Sequence, residues 1–235
     1  MIVALETAAE VGGVALVEGG CVLAERVLGE EAQPARDVLP AVHALLEQVG
    51  RPLRDVESIA LSIGPGSFTG LRIGLATALG LCFASPRRIV PVPTLAALAW
   101  GLEAEGPVAP MLDARKQQVY AGLYDAEGQS LAPDQVCDPG RFLRSLEAWP
   151  RITLLGPGAQ VYREQIGHVL GARAHLVEPA ERGWPSAARV GLLGERLAAQ
   201  GGLREPGEVE PRYLRASQAE VERGGRPLDT PPRNA

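Results

Sequence analysis

The residues able to do chemistry are few. The densest group is Gly64-Pro65-Gly66-Ser67-Phe68-Thr69-Gly70-Leu71-Arg72-Ile73-Gly74, which follows an apolar run and opens a helical pattern. A helix start offers unpaired N–H groups and the positive end of a dipole, so such a turn can hold a phosphate. A Walker loop requires Lys before Ser or Thr, and the dinucleotide fingerprint requires Gly where Thr69 stands. Two readings remain open: a phosphate-holding turn built on Gly66 and Ser67, or a tight strand-to-helix turn capped by Ser67 or Thr69. Glu6, followed by Thr7, and Asp113 each close a short apolar run. Carboxylates so placed could face one cleft and hold a magnesium–nucleotide; equally, they could be polar turn residues capping exposed backbone. Arg115 and Lys116 beside Asp113 suit phosphate or solvent alike.

Other chemistries find little support. His43, His168 and His175 form no HxxxH or HExxH pair, so a catalytic or structural metal lacks its usual ligands. No GxSxG elbow is present to make Ser67 a nucleophile. Cys21, Cys82 and Cys137 are odd in number and far apart, which argues against a disulfide framework and fits a reducing compartment.

Patterning defines the elements that must position these residues. Ile2 to Leu5, Val14 to Val17 and Val22 to Val27 read as an antiparallel meander with short Gly turns. A helical pattern from about Arg36 to Val49 repeats Val38, Leu39, Val42, Leu45, Leu46 and Val49 at three-and-four spacing. Strand Ser58 to Ile63, a helix from about Thr69 to Ala84, strand Ile89 to Val92 and a helix from Thr94, a capping residue, to about Ala104 follow. After Gly106-Pro107 the rhythm recurs. Strands at Val108 to Leu112, Val119 to Tyr124 and near Leu131 to Val136 precede a helix at Pro139 to Leu146 and strand Ile152 to Leu155. Helix Ala159 to Leu170, a strand near His175 to Val177 and helix Ser186 to Ala199 complete it. The expectation is an α/β protein with two lobes of order βββαβα, residues 1–106 and 107–200. A polar tail, 201–235, has only Pro211-Arg212-Tyr213-Leu214-Arg215 apolar enough to dock, and its last dozen or so residues are expected to be disordered.

The helix after the Gly-rich turn has one charged residue, Arg72. Leu71, Leu75 and Leu79 form one stripe, and Gly70, Gly74 and Ala78 form a small-residue stripe. A helix apolar all round must be buried on more than one side. The second neighbour is either another lobe of this chain or a second subunit approaching over the small stripe.

The bulk charge excludes some partners. The 235 residues carry 22 Arg, a single Lys (Lys116) and a net charge of −5. No broad attraction to nucleic acid or an anionic membrane follows, so any RNA must be held by a local patch or a partner. The opening Met1-Ile2-Val3-Ala4-Leu5 is too short for a membrane span, and a cytoplasmic location is expected.

A duplicated βββαβα plan is that of the actin, hexokinase and Hsp70 (ASKHA) superfamily, and here the chain resembles one branch of it. Ile2-Val3-Ala4-Leu5-Glu6-Thr7-Ala8 is similar to the first strand of the TsaB (YeaZ) family. Leu61 to Gly74 resembles that family's hallmark block. Pro93-Thr94-Leu95, Leu112-Asp113-Ala114-Arg115 followed by Val119-Tyr120, and Pro211 to Arg215 are similar as well. The family commonly carries Asp where Glu6 stands, so the chain departs from the family at the position considered for a nucleotide or magnesium role.

The resemblance implies a non-catalytic subunit for transfer of threonylcarbamoyl to the adenosine next to the anticodon of tRNA. Catalysis would belong to a TsaD-type relative whose metal site uses a histidine pair on one helix, a pair absent from this sequence. A TsaE-type ATPase would join the complex, tRNA would be met through it, and no membrane is implied. No cofactor is implied for this chain alone, with ATP or ADP and magnesium at the complex interface. The implied pairing surface uses the first two helices, through Val38, Leu39, Val42, Leu45, Gly70, Leu71, Gly74, Thr77, Ala78 and Leu81. The same surface can form a homodimer when the partner is absent. A stand-alone small-molecule kinase of this fold is the rival reading; an older glycoprotease label lacks metal ligands.

Overall fold

The computed structural model describes residues 1–29, 32–83, 86–178 and 183–215. The first half runs β1 (Ile2–Glu6), β2 (Gly12–Glu18), β3 (Cys21–Leu28), α1 (Pro34–Gln48), β4 (Ser58–Ser62), α2 (Phe68–Phe83), β5 (Arg88–Val92) and α3 (Thr94–Ala99). The second runs β6 (Val108–Asp113), β7 (Val119–Tyr124), β8 (Ser130–Cys137), α4 (Pro139–Ser145), β9 (Ile152–Leu155), α5 (Pro157–Val161), α6 (Arg163–Leu170), β10 (Ala174–Leu176) and α7 (Ala187–Ala199).

The strands form two five-stranded mixed sheets, β3-β2-β1-β4-β5 and β8-β7-β6-β9-β10. In each, a three-stranded antiparallel meander is extended by two parallel strands: β4 on β1 and β5 on β4, then β9 on β6 and β10 on β9. This is the duplicated actin/hexokinase/Hsp70-like plan expected from the sequence. Strands β1 and β4 are buried along their whole length because both sheet faces are covered, which is why they read as near-continuous apolar runs.

On one face of the first sheet, α1 and α2 set Val38, Val42, Leu45, Ala78 and Leu81 against Val3, Leu5, Leu16, Ile59 and Leu61. The other face belongs to the shared centre of the molecule. There α7 lies across β1, β2, β4 and β5, and α3 lies on β6 and β7. Each sheet is thus covered by a helix from the other half. Leu95, Leu98, Val190 and Leu193 join Ala4, Val90, Val108 and Leu155 in one core. The expected division at Gly106-Pro107 separates the two sheets but not the helices, since α7 was assigned to the second lobe and packs on the first. A third cluster, Met111, Phe142, Leu143, Leu154 and Ile166 among its members, fills the outer face of the second sheet.

Several element limits differ from expectation. Helix α3 stops at Ala99, and Gly101 beyond it holds φ +67°. Thr94 is its first residue, with Pro93 at the cap position, so Thr94 does not cap it. The helix expected over Ala159 to Leu170 is broken at Tyr162 into α5 and α6. The end expected to be disordered lies outside the described residues, as does Ala84. Pro211 to Arg215 does dock, as described below. Among the described residues, no helix is long and apolar enough to cross a membrane.

Candidate functional site

The meander turns of the two sheets face one another across a cavity of about 460 Å³. Ala8 and Glu10 from the β1–β2 turn, Gly66, Ser67 and Phe68 from the Gly-rich turn, and Asp113, Arg115 and Lys116 from the β6–β7 turn line it. Tyr120, Trp184 and the segment Arg212–Arg215 complete the wall. The fold therefore brings Gly66, Ser67 and Asp113 together as expected. Glu6 and Thr7 lie behind the wall.

Glu6 ends β1 with its carboxyl wholly buried. Its Oε1 accepts the N–H groups of Ala8 (2.6 Å) and Ala9 (3.3 Å), so the side chain folds back on its own turn. Oε2 makes no hydrogen bond. Burial pushes the carboxyl up to about 7, and the nearby Ser62 and the two N–H groups offset this only in part. Ser62 Oγ is engaged with Thr94 Oγ1 at 2.8 Å, and Thr94 Oγ1 also accepts the Gly64 N–H at 3.1 Å.

Three donors at the Gly-rich turn are engaged inside the chain. Ser67 N–H donates to Ala8 O (2.7 Å), Gly70 N–H to Ser67 Oγ (3.2 Å) and Leu71 N–H to Ser67 O (2.9 Å). A side chain at Gly66 would strike the Ala8 carbonyl, so the turn sits flush on the β1–β2 turn. Ser67 acts as the helix cap, as the tight-turn reading expects. Across the cavity, Asp113 Oδ1 accepts the Arg115 N–H at 2.8 Å. Arg115, Lys116 and Gln117 all hold left-handed backbone, φ 60°, 52° and 58°, closed by Ala114 N–H to Gln118 O at 2.9 Å. Three consecutive residues with side chains in that region cost about 1–2 kcal/mol each, so their neighbours must hold them there.

A magnesium–nucleotide fits these residues poorly. Of the two carboxylates expected to flank it, Glu6 is turned away and committed to backbone. Among the described residues, no group of three or more His, Cys, Asp or Glu side chains is placed to hold a metal ion.

The two helices expected to form a pairing surface divide by face. Val38, Val42 and Leu45 of α1 are buried on the chain's own sheet, while Leu39 is more than half exposed. On α2, Gly70, Leu71, Gly74, Ala78 and Leu81 are buried. A side chain at Gly70 would meet the Thr7 carbonyl, and one at Gly74 would meet Thr7 Oγ1. Thr7 Oγ1 itself donates to Gly70 O at 2.8 Å. The small-residue stripe thus admits β1 and its turn and is not the surface a second subunit would approach. Thr77 is half-buried, its Oγ1 donating to Ile73 O at 2.9 Å. The outward face carries Arg72, Ala76, Leu79, Gly80 and Phe83, with Phe83 96% exposed. Leu79 and Phe83 were missed because a helix apolar on every side shows no preferred face. Trp184 and Tyr120 gave no signal of their place in the cavity; the apolar content of Pro211 to Arg215 signalled that the segment docks, but not where.

The chain resembles known proteins along nearly its whole length. The family described as "TsaD: tRNA N6-adenosine threonylcarbamoyltransferase" matches residues 29–223. The tRNA threonylcarbamoyladenosine biosynthesis protein TsaB of Bacillus subtilis is 30% identical, with 94% of this chain and 96% of the relative covered. The protein of that name from Escherichia coli is also 30% identical, over 93% and 96%. The solved structure of YeaZ from Pseudomonas aeruginosa superposes with a TM-score of 0.77 at 30% identity, covering 91% of this chain and 99% of that one. With the duplicated sheets and the Gly64 to Gly74 turn in place, the chain belongs to the TsaB (YeaZ) family.

Proposed function

We propose that this chain acts in the biosynthesis of threonylcarbamoyladenosine on tRNA, as a non-catalytic subunit that pairs with a TsaD-type transferase. The observation that carries the reading is the likeness to TsaB proteins over more than nine-tenths of both chains. The non-catalytic role is supported by the sequence, since His43, His168 and His175 form no helical pair of the kind a TsaD-type metal site uses. Pairing through α1 and α2 is supported by the apolar side chains they turn outward, Leu39, Leu79 and Phe83. Large exposed apolar groups on adjacent helices suit a protein partner, and in its absence the same face suits a second copy. On this reading the TsaE-type ATPase and the tRNA are met through the complex, ATP or ADP with magnesium lies at its joint, and the work is cytoplasmic.

The test is reconstitution with a TsaD-type enzyme, a threonylcarbamoyl-adenylate synthase, a TsaE-type ATPase and tRNA. Modified adenosine should form at a rate that collapses when this chain is omitted, while the chain without the TsaD-type enzyme forms none. Undiminished modification in its absence would refute the proposal.

A further inference from the structure

The segment after the last helix is tied to both sheets within five residues. On the first-sheet side, Arg212 N–H donates to Ile63 O at 2.7 Å, and its carbonyl lies so close to Gly64 (φ +114°) that a Cβ there would stand 2.6 Å away. Tyr213 then stacks on Phe68, ring centroids 4.8 Å apart and planes 33° inclined. Arg72 lies over the other part of that cluster, its Cζ 4.0 Å from the Phe68 centroid and its Nε donating to the Tyr213 hydroxyl at 3.2 Å. On the second-sheet side, Arg212 Nη1 meets Asp134 Oδ2 at 2.9 Å, and Arg215 Nη1 donates to Ala114 O at 2.9 Å while its other nitrogen reaches Gln118. The Asp134 side chain is 1% exposed and also accepts the Tyr124 hydroxyl. The carboxylate is thereby fixed inside the second sheet. Just upstream, Val209 is buried in the core under α1 and α2.

The contacts of Arg212, Tyr213 and Arg215 are divided between the two sheets. Arg212 bonds the first sheet with its backbone and the second with its side chain, Tyr213 holds only the first, and Arg215 holds only the second. Five residues leave little slack between attachments on the two sheets, which makes release as one cooperative unit the expected behaviour. The same residues form one wall of the cavity between the sheets. Tyr213 also touches Arg72, which begins the outward face of α2 that continues to Leu79 and Phe83.

We propose that Pro211–Arg215 is a latch that holds the two turn regions together and couples the cavity to the outer face of α2. Release of the latch opens the cavity and loosens the start of α2 in one event.

Hydrogen exchange read by mass spectrometry on the full chain tests this through effects on the side opposite each substitution. Tyr213→Ala removes contacts only to the first sheet, and Arg215→Ala only to the second; neither strands a buried charge. Tyr213→Ala should speed exchange in peptides covering 114–118, and Arg215→Ala in those covering 63–71. Each change should be about tenfold, as for losing a stacked ring or a hydrogen bond, with thermal melting showing both variants folded. Arg163→Ala, which removes an exposed ion pair to Glu178, should change neither region. Faster exchange confined to the side of the lost contact would overturn the latch. So would a uniform rise over the whole chain, which reports general destabilisation instead.

Discussion

Glu6→Gln should make this protein more stable above neutral pH. The carboxyl is fully buried, with one oxygen on two N–H groups and the other unpartnered. Glutamine keeps the accepting oxygen and the shape, and it resembles the protonated acid. The folded chain holds the Glu6 proton up to about 7, against an ordinary value of 4.5. The folded state therefore binds more protons than the unfolded state between those values, and stability falls as pH rises through that window. Below 4.5 the group costs nothing extra; above about 7 the full penalty is present and constant. At about 1.4 kcal/mol per pKa unit, that penalty is about 3 kcal/mol. The variant escapes it, so the difference between variant and wild type should grow from near zero at pH 4.5 to about 3 kcal/mol at pH 8. In melting temperature this is roughly 6–12 °C for a chain of this size. Urea unfolding followed by circular dichroism from pH 4.5 to 8.5 measures it directly. A difference that does not change with pH, or a less stable variant at pH 8, would refute the reasoning.

Two further substitutions probe the packing. Gly74→Ala forces a methyl group onto Thr7 Oγ1 and should cost about 1–3 kcal/mol by overpacking, lowering the melting temperature; an unchanged melt would show that the turn can shift freely. Arg87 is 5% exposed and donates to the carbonyls of Val56 (2.9 Å), Leu81 (2.8 Å) and Leu53 (2.7 Å), tying the end of α2 to the loop before β4. Arg87→Met removes all three of these donors, with Leu53 O keeping only the Val56 N–H at 3.1 Å, and should cost about 3 kcal/mol in chemical denaturation; a loss below about 1 kcal/mol would mean that water replaces the guanidinium.

The duplicated architecture was legible because both halves repeat the same alternation of apolar runs and Gly or Pro turns, and strands buried on both faces leave unbroken apolar runs such as Ile2 to Leu5. Pro211 to Arg215 stood out for a related reason, as apolar content in a polar tail. Orientation and partnership were not legible. Helix α2 is apolar all round, so its composition could not say that Gly70 and Gly74 receive Thr7 while Leu79 and Phe83 face outward. The crossing of α3 and α7 between sheets was hidden because an apolar stripe records burial and not which sheet buries it. Glu6 and Asp113 look equivalent as strand-end carboxylates. Only the backbone path shows that one is sealed behind its own turn while the other lines the cavity.

Pairing with a TsaD-type enzyme through the outward face of α1 and α2, as proposed above, is open to direct test. Light scattering on the purified 24.8 kDa chain, alone and mixed with that enzyme, tests it for wild type and Leu79→Arg. Leu79 is 37% exposed, so the substitution should leave the fold intact. Wild type should form a one-to-one complex, and the folded Leu79→Arg chain none. A wild-type chain that ignores the enzyme, or a Leu79→Arg chain that binds it equally well, would contradict it.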